Sequence, residues 1–174
     1  CVEQAESFAE AAGFPLLGCQ ALTMRVHLHF MRGDGLDENA LQRAMILESE
    51  SGHVPAPFRP SLHHACLLSW TGQIEEGRDE LLAIRKRCIE RGEESDLLPV
   101  TFNSFLAELW LGHIDAAQAV AADAMERAEQ LGGELAPGIA HTMQAALAAF
   151  AGQEESARQA AKQALSASRR SGAI

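Results

Sequence analysis

Seven histidines and four cysteines are the side chains here best able to bind a metal or attack a substrate. Spacing limits what they can do. His63 and His64 are adjacent, so on a helix they point about 100° apart and cannot easily share an ion. His27 and His29 fit no better. His63 and Cys66 stand at i, i+3, a geometrically usable interval, but nothing else in the sequence supplies the further ligands a metal wants. Gly33-Asp34-Gly35 lacks the following glycine and lysine of a phosphate loop. There is no H-E-x-x-H and no glycine-flanked serine. The expectation is a non-enzyme with no catalytic residue, no metal and no cofactor. Cys1, Cys19, Cys66 and Cys88 share no close spacing. Cys66 and Cys88 sit in apolar helical patterns, where reduced thiols are commonly buried, so we expect a cytoplasmic protein without disulfides.

What remains is a polar lane at helical spacing. Counting back eleven, eight and four residues from recurring turn glycines reaches Leu22, Arg25 and His29, then Ser61, His64 and Leu68. The next two sets are Thr101, Ser104 and Glu108, and His141, Gln144 and Ala148. Positions i, i+3 and i+7 share one helical face. Arg25, His29, His64, Thr101, Ser104, Glu108, His141 and Gln144 are therefore the candidate binding residues, either for a protein partner or for a small inducer. The same lane is equally readable as the wet side of amphipathic helices. Trp70 and Trp110 look at first like a ligand cage. Each precedes a turn glycine by two residues, however, and Phe30 and Phe150 hold the same place, so a ring is kept and the indole N–H is not. That exchange favours packing.

The elements that must position these residues repeat every 40 residues. Gly52, Gly92, Gly132 and Gly172 keep that interval, as do Gly72, Gly112 and Gly152, and the four rings at 30, 70, 110 and 150. Internal periods of this length mark arrays of supersecondary units. Each unit reads as two helices, the first ending at the aromatic-x-Gly turn and the second at a glycine of the 52 series. Acids open the second helices and bases close several, as the helix dipole favours. Pro60, Pro99 and Pro137 fall in or near the first turn of the following helix. Ala124 and Ala164, twelve residues past the turn glycine, are small enough to let paired helices approach closely.

The predicted fold is all-α, an α-α superhelix of about four tetratricopeptide-like helix pairs and about nine helices. The pairs cover roughly residues 14–52, 60–92, 97–132 and 135–172 of a single domain. Fourteen glycines, no tyrosine and 47% hydrophobic residues agree with close-packed helices. A formal charge of −10 makes a phosphate-binding surface a poor expectation. No apolar run approaches the length of a membrane span. The start at Cys1, inside a helical pattern and without methionine, reads as a segment of a longer protein.

Several stretches resemble a known family. The turn L-W-x-G-x-I-E-E-x-R (Leu68–Arg78, with Ser and Thr beside the Trp) is one. E-R-G-E-E-S-D-L-L-P (Glu90–Pro99), L-A-E-L-x-L-G (Leu106–Gly112), A-E-Q-L-G (Ala128–Gly132) and R-R-S-G-A (Arg169–Ala173) are the others. Together they are similar to the helical-repeat region of large LuxR-type, MalT-like bacterial transcriptional regulators. The resemblance implies a sensor and coupling segment, placed between a STAND-type ATPase module and a helix-turn-helix module of the same full-length chain. Neither module is in this sequence, and the family brings no fixed ligand residues to transfer. A purely structural scaffold or homodimerisation module is the alternative reading.

Overall fold

The computed structural model describes residues 2–131, 133 and 135–172. Cys1, Gly132 and Ala173 lie outside them, so expectations that rest on those three are not addressed. Among the described residues every regular element is helical. The order is α1 (Val2–Ala12), α2 (Pro15–Met31), α3 (Glu38–Ser51), a single 3₁₀ turn (Ala56–Phe58), α4 (Pro60–Trp70) and α5 (Ile74–Arg91). It continues with α6 (Glu94–Trp110), α7 (Ile114–Leu131), α8 (Leu135–Phe150) and α9 (Glu154–Ser171). The all-α class and the helix pairing follow the 40-residue period closely.

Local chemistry sets the boundaries. Asp37 caps α3 by accepting the Ala40 N–H at 2.9 Å. Glu38, then Glu75 and Glu76, Asp115, and Glu154 and Glu155 occupy the first turns of α3, α5, α7 and α9. Gly92 and Gly172 end α5 and α9 in the left-handed conformation, φ 65° and 74°, which other residues adopt only with strain. Arg169 and Arg170 close α9. Arg127 departs from the expected pattern, because it lies before the last turn of α7 and pairs with Asp123 at 3.1 Å.

Two proline expectations hold and one is corrected. Pro60 opens α4 and Pro137 stands in the first turn of α8. Pro99, by contrast, is inside α6, because the helix already begins at Glu94. Glu94 and Asp96 in that first turn start the helix early. Pro99 is the sixth residue of α6, beyond the N–H groups that a helix start leaves unpaired, so it forgoes one intrahelical bond to the Ser95 carbonyl.

The chain divides into two compact units, residues 1–97 and 98–174, where the sequence reads as a single domain. The first unit centres on Leu22, Val26, Leu41, Ala44 and Leu67, with Phe30, Leu36 and Leu47 packed around them. Helices α4 and α5 pack so closely that a Cβ on Gly77 would lie 2.3 Å from Ser69 Oγ and 2.6 Å from the Ala65 carbonyl oxygen. Gly77 is therefore a packing glycine. The second unit is built differently. Phe105, Leu109 and Met143 meet six alanines, Ala117, Ala121, Ala124, Ala128, Ala136 and Ala140. Ala124 and Ala164, the small residues picked out by the period, are buried as expected.

Candidate functional site

In the first unit the lane residues are half-buried, and each is already engaged. Arg25 Nε lies 2.9 Å from Glu6, with Asp37 at 3.8 Å. His64 Nδ1 meets Glu80 at 2.8 Å. His29 stands 3.9 Å from Asp34. In the second unit Thr101, Ser104 and Glu108 are buried, which corrects the expectation of an open lane at these three. Most of the circumference of α6 is covered, and short hydroxyls can be buried when they bond their own helix. Ser104 donates to the Val100 carbonyl at 2.9 Å. The Glu108 carboxylate is met by His113 Nδ1 at 2.8 Å. His141 and Gln144 remain accessible and bond each other at 3.1 Å. Across both units, most of the lane's polar capacity is used internally.

The aromatic series also resolves by unit. Phe30 and Trp70 stack with centroids 6.1 Å apart and planes 22° apart, as expected for packing rings. Trp110 and Phe150 are 45% and 64% exposed, and so sit at the surface of the second unit.

Three features of the first unit were not legible at fixed spacing. The first is a buried ionic cluster. Arg59, next to Pro60 at the start of α4, donates from Nη2 to Asp96 at 2.7 Å and to Glu93 at 3.1 Å. It also donates from Nε to the Val54 carbonyl at 3.0 Å and contacts Cys88 Sγ at 3.4 Å. The other Asp96 oxygen accepts the Ala56 N–H at 3.1 Å. These bonds tie the 52–59 linker to the start of α6. Burial alone would raise the Glu93 carboxyl, but Arg59 outweighs it and holds the group below its ordinary range. His53, Glu93 and Asp96 are the one group of three potential metal ligands that converge among the described residues. The Arg59 guanidinium already bonds both carboxylates there, so a cation would have to compete with it for them.

The second feature is a histidine pair. His63 Nδ1 lies 3.1 Å from His27 Nδ1, and the rings are nearly perpendicular at 83°. His63 Nε2 donates to the Pro57 carbonyl at 2.9 Å. Burial lowers the affinity of both rings for a second proton. For His63 the Pro57 carbonyl opposes that effect and His27 adds to it. The His27–His63 contact joins two helices, whereas the spacings weighed in the sequence, His63 with His64 or Cys66 and His27 with His29, each lie within one helix. Cys66 is buried and its thiol is pushed up to about 12 by desolvation. Cys19 is pushed up to about 11, first by burial and then by Glu48. Cys19, Cys66 and Cys88 are free thiols.

The third feature is an apolar groove of about 620 Å³ along α1 and α2. Phe8, Phe14, Leu17, Met24 and Phe58 line it, with Phe8 and Phe14 74% and 60% exposed. The signal in the sequence is Phe8, Phe14 and Leu17 clustered around Gly13, three apolar side chains that no repeat position ties together.

No helix among the described residues is long and apolar enough to cross a membrane. No family model matches the chain, and no curated protein or solved structure matches it.

Proposed function

We propose that this chain is a non-enzymatic, tetratricopeptide-like interaction domain that couples signals within a LuxR-type transcriptional regulator. The observation that supports this reading is the open apolar groove of α1 and α2, set in an array of paired helices. Aromatic and aliphatic side chains left in water between two helices are the usual seat for a partner helix. The occupant is an amphipathic α-helix of a protein partner, apolar on one side and basic on its flanks. The apolar lining calls for the first property and the formal charge of −10 for the second. Its mechanism is population shift: the partner helix favours the arrangement of helix pairs that seats it. Arg25, His29 and His64 offer polar contacts nearby in sequence but no preset ligand site, since their partners are intramolecular.

Fluorescence anisotropy with a labelled Leu/Lys amphipathic helical peptide tests the groove. The peptide should bind saturably, a scrambled peptide of the same composition should not, and Phe8→Asp with Leu17→Asp should abolish binding without loss of helicity. Equal binding of both peptides, or no effect of the double substitution, would remove the groove from the proposal. Light scattering tests the scaffold alternative, because a constant dimer that the same two substitutions dissociate would favour a homodimerisation module.

A further inference from the structure

We propose that His27 and His63 form a binding site for a borderline transition-metal ion such as zinc, nickel or copper, clipping α2 to α4. Nothing in this inference depends on the interaction reading above. The two Nδ1 atoms come from helices 36 residues apart in sequence and stand 3.1 Å from each other. Two imidazole nitrogens on one metal at ~2.0–2.1 Å are separated by ~2.9 Å at a right angle and ~3.3 Å at a tetrahedral angle. The observed separation lies between these values. The perpendicular rings keep the two imidazoles clear of each other while their nitrogens converge.

Tautomers support the same assignment. A carbonyl oxygen only accepts, so His63 carries its proton on Nε2, toward Pro57, and its Nδ1 offers a lone pair. A ring nitrogen tied back to a backbone carbonyl is how metal-binding histidines are usually oriented. His27 needs only to move its proton from Nδ1 to Nε2 for both lone pairs to face one ion. That shift releases no proton from the neutral pair. Trp70 stands 5.7 Å from His27 and stacks on Phe30, screening this side of the pair with apolar rings. No third histidine, cysteine or carboxylate converges with the pair among the described residues. Water therefore completes the coordination, and soft or borderline ions are favoured over magnesium or calcium.

The His53, Glu93 and Asp96 group is the rival location, and the experiment separates the two. Trp110→Phe leaves Trp70 as the sole tryptophan of the chain. Nickel(II) titrated into this protein near neutral pH should quench Trp70 saturably with one-to-one stoichiometry, and zinc(II) should compete. His53→Gln should leave the titration unchanged. His27→Gln and His63→Gln should each weaken the apparent Kd at least about tenfold, with helicity retained by circular dichroism. Absent or non-saturable quenching would overturn the proposal, as would parent-like affinity in both histidine variants. If those variants unfold, histidine ring ¹H–¹⁵N spectra of the unsubstituted protein decide. Zinc must then shift the Nδ1 signals of His27 and His63, and shifts confined to other histidines overturn the site.

Discussion

Residues 1–97 and 98–174 share one repeat but are stabilised by different means. The first unit mixes branched aliphatics, stacked rings, a histidine pair and a buried ionic cluster, and it leaves an apolar groove open. The second is packed mainly through alanines around Phe105, Leu109 and Met143. Alanine contacts bring helices close and leave little room for specific chemistry. A unit held by long-range polar bonds instead depends on a few individual residues. The same 40-residue pattern thus supports a chemically differentiated half and a plainer, tightly packed half.

The largest effect expected to break this contrast is Asp96→Ala. It removes the shorter of the two carboxylate bonds on the Arg59 guanidinium, leaving Glu93 to balance its charge, orphans the buried Ala56 N–H, and should cost about 3 kcal/mol in urea unfolding. Hydrogen exchange should rise first in the 52–59 linker and in α4. Equal loss of protection throughout α7 to α9 would mean the units do not differ in this way.

Next comes Ala124→Leu in α7, which should cost about 1–3 kcal/mol by overpacking. The same register in the first unit is Ile84, also buried, so that site already holds a large side chain. A neutral Ala124→Leu would show that the second unit is not limited by close alanine contact.

A smaller effect is set by pH. Arg59 holds the folded-state Glu93 pKa below its ordinary value of 4.5. Its stabilising contribution is therefore fully present above about pH 4.5 and is lost as pH falls through the depressed folded value. Unfolding free energies of the parent and Glu93→Gln should converge between neutral pH and pH 3. A difference that stays constant over this range would remove Glu93 from the ionic cluster.

The smallest effect belongs to the aromatic series. Trp110→Phe should change stability by less than ~1 kcal/mol, and Trp110→Ala should lower the melting temperature more. A Trp110→Phe protein that folds well but no longer binds the partner peptide would give the indole a role in recognition.

The period, the class, the pairing of helices and most boundaries were legible from the chain alone. They depend on local chemistry: glycine at turns, acids at helix starts, small residues at fixed register. The lane was legible as a pattern but not as an environment. Thr101, Ser104 and Glu108 have the spacing of an exposed face, yet α6 is covered, and Ser104 and Glu108 satisfy their polar groups within the second unit. Polarity at a helical interval records which residues align, not what lies opposite them.

Sequence by itself determined that this protein is an array of helix pairs, because backbone preferences act over a few residues and repeat with the chain. Only the tertiary structure decided that His27 meets His63, that Arg59 bridges Glu93 and Asp96, and that Phe8 and Phe14 flank an open groove. Those contacts join residues at unrelated repeat positions. They form where helices cross, and the crossing is set by how side-chain volumes pack together, which no single stretch of sequence encodes.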